Sequence, residues 1–184
     1  MPTPTIGAVG LISDLSDRIA GPAQPGDVAI LIGGPGAHLG ASALLSECME
    51  RDDGPPPSVD LEAERRAGAY VLDQRRQIRA ATDLSDGGLA MAGFELAAFA
   101  GVGLELAPAA GNALEWFFGE DQARYLLAVD PSAIDGLMAV ANAEGIPIAK
   151  VGTFGGDTYQ LGTSKLAMAE AIAAHRDVYP SLFG

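Results

Sequence analysis

Cysteine is nearly absent from this chain of 184 residues, with Cys48 the single example. An intrachain disulfide is therefore excluded, and the usage fits a reducing compartment. Histidine is scarce too, at His38 and His175. No zinc ligand set with local spacing can be assembled from these residues. Basic charge is short: 11 Lys and Arg face 24 Asp and Glu, a net charge of −13. Long-range repulsion then opposes non-specific binding to nucleic acid or to an anionic membrane. A phosphate-bearing ligand would need a helix N-terminus, a magnesium ion or an imported basic group. No apolar run reaches the roughly 18 residues of a membrane span. Met1-Pro2-Thr3-Pro4-Thr5 lacks the basic start of a secretory signal. The expectation is a cytoplasmic protein, or a piece of one, with neither nucleic acid nor membrane as partner.

Apolar residues are plentiful, at 48% against 19% charged. That suffices for the core of one domain and excludes a wholly disordered chain. Ile6 to Ile12 reads as a strand, and residues 21–27 as a turn-rich connection. Val28 to Ile32 is an unbroken apolar run of strand length, expected to be buried on both faces. A glycine-rich loop follows at 33–40, then a helix at 41–50 that should bury Cys48. Gly54 and Pro55 to Pro57 end it. Asp60 reads as the N-cap of the clearest helix, which carries Leu61, Ala69, Val71 and Leu72 and closes towards Arg75, Arg76 and Arg79. Residues 60–79 hold five of the basic residues and read as a solvated face, with Glu62 and Arg66 spaced for a surface pair.

Strands are expected at 78–84, 103–106 and 125–129, and helices at 87–99, 112–118 and 132–144. Leu89, Phe94, Leu96 and Phe99 are core candidates of the first of these helices. Residues 147–153 and 158–161 read as a hairpin across Phe154-Gly155-Gly156-Asp157, and 165–177 as a last helix ending near His175. This alternation predicts an α/β domain with helices covering a central sheet.

The sharpest chemical signal is Thr82-Asp83-Leu84-Ser85-Asp86-Gly87-Gly88-Leu89. It sets two carboxylates and a hydroxyl at a strand end, then two glycines at a helix start. Backbone N–H groups there can bind an anion, while the carboxylates call for magnesium between themselves and a phosphate. On residue chemistry alone the same string also reads as a plain N-cap turn, with Ser85 or Asp86 as the cap. The loop Gly33-Gly34-Pro35-Gly36-Ala37-His38-Leu39-Gly40-Ala41-Ser42 could approach a ligand closely. It has no lysine and matches neither the phosphate loop nor the dinucleotide fingerprint, so a flexible turn is its simpler reading.

Five stretches taken in order resemble a known family. They are Pro2 to Ile12, Gly26-Asp27 with Val28 to Ile32, Leu39-Gly40-Ala41-Ser42, Val59-Asp60-Leu61-Glu62-Ala63-Glu64, and Asp83 to Leu89 followed by Phe118-Gly119-Glu120 and Arg124. The set resembles the C-terminal domain of the synthetase subunit of phosphoribosylformylglycinamidine (FGAM) synthase, of the aminoimidazole ribonucleotide synthase-related superfamily. The resemblance implies an α/β (α+β) fold with a central mixed sheet covered by helices and a partial ferredoxin-like topology. Residues 1–20 would be the tail of a preceding nucleotide-binding domain and a linker, and 21–184 the C-terminal domain.

The activity implied is that of an ATP-dependent ligase of purine biosynthesis. It converts formylglycinamide ribonucleotide to FGAM with glutamine-derived ammonia. ATP and magnesium serve the full enzyme, and none is expected to bind this chain tightly. The implied partners are the remaining domains of the subunit, a glutaminase and a small accessory subunit, with self-association of this chain as an added expectation. Asp83, Ser85, Asp86, Gly87 and Gly88, with Gly40 and Ser42, are the implied ligand-binding positions. No catalytic residue is assigned within the chain, and its metal ligands stay unassigned. Two positions depart from the family pattern: Thr82 stands where histidine is usual, and Ala43 where glutamate is frequent. A non-catalytic scaffold role, or kinship with thiamine-phosphate kinase or a hydrogenase-maturation protein, remain the alternatives.

Overall fold

Val28–Ile32 forms strand β1, and its unbroken apolar sequence has a simple cause. Ala29 and Leu31 point into one hydrophobic core, whereas Ile30 and Ile32 point into another. Strand side chains alternate between faces, so a strand covered on both sides must be apolar throughout. Each large side chain buried in this way contributes roughly 1.5–3 kcal/mol. β4 (Tyr125–Val129) does the same beside it, with Leu126 and Ala128 on one face and Leu127 and Val129 on the other.

A computed structural model describes residues 7–19 and 21–183. Within them one mixed sheet also contains β2 (Ile78–Asp83), β3 (Leu104–Leu106), β5 (Ile148–Phe154), β6 (Thr158–Leu161) and β7 (Ser164–Ala167). The strand order is β2-β4-β1-β5-β3-β6-β7. β3 and β6 run parallel and the other neighbours antiparallel. Helices α1 (Leu61–Asp73) and α4 (Ile134–Ala143) cover one face. Helices α2 (Gly88–Ala100), α3 (Ala113–Phe118) and α5 (Met168–Phe183) cover the other. The expected fold of helices over a central mixed sheet is the one observed.

Several expectations about elements need correction. Residues 7–12 form no strand; Val9 and Leu11 are fully exposed because no neighbouring strand takes their backbone groups. Ile6 lies outside the described residues. The segment read as a helix at 41–50 forms one wide helical turn, Leu44–Cys48, and Cys48 is exposed rather than buried. Residues 147–153 and 158–161 do not pair with each other, because β3 lies between them. β6 pairs instead with β7, so α5 begins at Met168 rather than near 165. His175 consequently lies within α5, its ring 5.4 Å from that of Phe94.

Side-chain placement differs in places too. On α1 the buried side chains are Ala67, Tyr70 and Val71, whereas Leu61 and Leu72 are exposed. On α2, Leu89, Phe94 and Leu96 are buried as expected, but Phe99 is 74% exposed. Glu62 pairs with Arg65, three residues on, rather than with Arg66, which donates to the Glu144 carbonyl. The N-cap at Asp60 is as read: its Oδ1 accepts the N–H groups of Glu62 and Ala63, each at 3.0 Å.

Candidate functional site

β2 carries the chain to Asp83, and the Leu84 N–H donates to the Arg124 carbonyl at 3.0 Å. This bond holds the following turn, Ser85 to Gly88, against the entry to β4. Gly87 (φ +77) and Gly88 (φ +58) are both left-handed, where a side chain is strained. A Cβ at Gly88 would stand 2.5 Å from the Gly119 carbonyl oxygen. Glycine here lets the start of α2 pack on the end of α3. Neither Ser85 nor Asp86 caps α2, so the plain N-cap reading fails: Gly87 is the N-cap residue. Its N–H is taken by a side chain from elsewhere, the Oε1 of Glu120, at 2.8 Å.

Beside this turn lies a polar pocket of about 310 Å³. Glu64, Asp83, Ser85, Asp86, Glu120 and Tyr125 line it. Asp83, Ser85 and Asp86 are exposed, so their side chains are free to meet a ligand. Glu64 comes from α1, and its Oε1 accepts the Ala123 N–H at 2.8 Å. That bond holds Ala123 at φ +59, a left-handed value rare for alanine, and so shapes the far rim. Burial pushes the Tyr125 hydroxyl above its usual pKa, and the charges of Glu64 and Asp83 add to the shift.

Arg124 also lines the pocket, but its guanidinium is buried, with Nη1 donating to the Gly119 carbonyl at 2.8 Å. Burial lowers its pKa, and the charge of Asp121 opposes that fall. Arg124 thus ties the end of α3 to the start of β4. Among the described residues no group of three or more His, Cys, Asp and Glu is placed to hold a metal ion.

The proposed ligand positions therefore separate. Asp83, Ser85 and Asp86 share the polar pocket. Gly87 faces a second cavity of about 360 Å³, bounded by Leu44, Cys48, Met91 and Phe118. Gly88 is buried in backbone packing. Gly40 lines neither cavity; it packs on Gly54 and Pro55, where the His38 Nε2–H donates to the Pro55 carbonyl at 2.7 Å. Ser42 is 1% exposed, and its Oγ accepts the Leu45 N–H. Ala43 lies at the second cavity and donates its N–H to Glu120 Oε1 at 2.9 Å. Glu64 and Glu120 lie within stretches that carry the family resemblance, but neither they nor Tyr125 are read there as ligand positions. The backbone partners of Glu64 and Glu120 lie 33 to 77 residues away in sequence.

A family model described as AIR synthase related protein, C-terminal domain, matches residues 24–161. The chain belongs to this family. This AIR synthase-related domain is 48% identical, over all 184 residues, to the phosphoribosylformylglycinamidine synthase subunit PurL of Cereibacter sphaeroides. It spans 25% of that relative's length. A PurL of Jannaschia sp. is also 48% identical, over 183 residues, with 25% of its length covered.

Among solved structures, T. maritima PurL complexed with FGAR aligns with a TM-score of 0.69 at 18% identity, covering 84% of this chain and 29% of that one. T. maritima PurL complexed with ATP aligns at 0.65 and 17%, covering 82% and 26%. PurLQS of Thermotoga maritima aligns at 0.64 and 16%, covering 81% and 26%. These structural likenesses carry the fold of the AIR synthase-related domain. Its relation to PurL in sequence rests on the 48% identity.

Proposed function

We propose that this domain is part of a phosphoribosylformylglycinamidine synthase and forms one wall of a nucleotide or phosphate-ester cleft. The observation that carries the reading is the 48% identity to a PurL subunit along the whole chain. The geometry supports it: a strand end, a left-handed two-glycine turn and a helix start surround an open polar pocket. Its volume of about 310 Å³ is near the lower end for ligand pockets. It suits part of a larger ligand, the rest being held by other domains.

The donor set fits magnesium in a limited sense. Glu64, Asp83, Asp86 and Glu120 offer carboxylate oxygens without forming a protein-only cage. Magnesium usually takes one or two carboxylates and completes its shell with water and phosphate oxygens. Asp83 and Asp86 are the carboxylates of the signature turn and would serve in that way. When bound with ATP, magnesium neutralises phosphate charge. The domain's own part is to hold Asp83, Ser85 and Asp86 at the wall and to close the rim with Ala123 and Tyr125. Gly40 and Ser42 serve the neighbouring loop rather than the ligand.

The substrates, by this reading, are formylglycinamide ribonucleotide, ATP and ammonia released from glutamine by a glutaminase partner. A small accessory subunit and the remaining domains of the synthetase complete the assembly, in the cytoplasm. Among the described residues no helix is long and apolar enough to cross a membrane. The chain alone should give no turnover, since it lacks a lysine in its glycine-rich loop and spans a quarter of its relative.

The test is a chimera in which this chain replaces the matching quarter of the Cereibacter sphaeroides subunit. FGAM formation close to that of the parent supports the reading. The same chimera with Asp86→Asn should lose activity while keeping its thermal stability. A folded, assembled chimera without any activity would overturn the proposal.

A further inference from the structure

Residues 33–57 run as a strap between β1 and α1, with Leu44–Cys48 as a single helical turn. Two adjacent acids hold it. Asp121 Oδ2 accepts the N–H groups of Ala37 and His38, at 2.8 and 3.0 Å. The Glu120 N–H donates to the His38 carbonyl at 3.1 Å. The Glu120 side chain goes further: one oxygen, Oε1, accepts both the Ala43 N–H of the strap and the Gly87 N–H of the signature turn. These two donors are 44 residues apart in sequence.

We infer that Glu120 is the positioning residue of this site, fixing the strap and the signature turn in one register through a shared carboxylate oxygen. The physics favours the arrangement. Gly87 is the N-cap of the 13-residue helix α2, whose N-terminus attracts negative charge. A carboxylate accepting N–H groups makes bonds about twice as strong as neutral ones. The positions flanking Gly87 matter most: Asp86 borders both cavities, so its placement depends on a turn that Glu120 holds. A further consequence follows for anions. The Gly87 N–H, which the sequence offers to a ligand phosphate, is already occupied by a group of the protein itself. A ligand at the polar pocket is thus met by side chains of the turn, in a geometry that Glu120 sets. This last step rests on the functional reading above.

Amide hydrogen exchange on the 184-residue chain, read by NMR, tests the latch directly. In Glu120→Ala, exchange at Gly87 and Ala43 should rise together, by about tenfold to a hundredfold. The amide of Leu127, central in β4, should keep its protection. Glu120→Gln keeps an oxygen that can accept both N–H groups, so both amides should stay within about threefold of the parent. If Glu120→Ala loses Leu127 protection and does not fold, Glu120→Asp takes its place, one methylene too short to reach both donors.

A rise at Gly87 without one at Ala43 would overturn the inference. So would a Gln variant as loose as the Ala variant. Calorimetry with magnesium-ATP on the full-length chimera, with and without the same substitutions, separates the two claims. Absence of binding in every protein, with the exchange pattern intact, leaves the latch standing and removes the ligand reading. Equal binding by parent and Glu120→Ala, despite loosened amides, refutes the positioning role.

Discussion

Gly88→Ala should be among the most damaging single-methyl additions in this chain. Gly88 sits at φ +58, and its absent Cβ would lie 2.5 Å from the Gly119 carbonyl and 3.0 Å from the Phe118 carbonyl carbon. Both neighbours are backbone atoms at the end of α3, which cannot swing aside as a flexible side chain can. A non-glycine residue in the left-handed region costs about 1–2 kcal/mol. Forcing a methyl into close-packed surroundings adds about 1–3 kcal/mol. The sum is about 2–5 kcal/mol, or a fall in Tm of about 4–20 °C for a domain of this size. Gly101→Ala is the control. Gly101 ends α2 at φ +69 with nothing within 4 Å of its would-be Cβ, so only the backbone cost applies there. Urea unfolding followed by circular dichroism would measure both variants. If Gly88→Ala costs no more than Gly101→Ala, the close approach of α2 to α3 does not constrain this turn, and the reasoning fails.

Three further outcomes can be checked on the same chain. Arg79→Met should lower the urea midpoint, because it removes the donor at 2.9 Å from Oδ1 of the buried Asp27 carboxylate and leaves that group the Gln24 N–H on Oδ2; an unchanged midpoint would refute this. The Tyr70 hydroxyl donates to the Leu137 carbonyl at 2.8 Å, and burial first, then the charge of Glu144, pushes its pKa from 10.0 up to about 12. Above pH 10 the unfolded chain gives up this proton while the folded chain keeps it, so stability should fall as pH rises from 10 towards 12; Tyr70→Phe should flatten that slope, and an unchanged slope would count against it. Residues 7–12 should exchange at near-random-coil rates in dilute solution and slow with rising concentration if copies pair through them, since Val9, Leu11 and Ile12 expose apolar surface; strong protection in a demonstrated monomer would refute the domain boundary placed near residue 20.

Features that depend on a short stretch of chain were legible in the sequence. β1 and β4 are unbroken apolar runs because helices cover both of their faces, and that demand is met residue by residue. Asp60 caps α1, and Asn112 caps α3 with its Oδ1 on the Leu114 N–H, because a cap needs only its own next two or three residues. The signature at 83–88 was legible as a strand end and a two-glycine turn before a helix, and Asp83, Ser85 and Asp86 line one pocket. Partnership over distance was not legible. The 147–161 segment has the length and turn residues of a hairpin, yet β3, from more than 40 residues earlier, takes the place between its strands. A strand's side-chain pattern states which faces are buried but not which neighbour supplies the hydrogen bonds. Ser42 reads as a loop hydroxyl free for a ligand, but the folding of the strap over it buries it to 1%. Glu120 reads as part of the Phe118-Gly119-Glu120 string of the resembled family, with no role of its own. Its meaning arises only when β2, α2 and the strap converge and leave two backbone N–H groups facing one oxygen. Local composition decides which segments become strands, helices and caps, because those choices are made within a few residues. The sharing of one carboxylate by two distant loops is decided by tertiary structure, because only packing brings such donors within 3 Å.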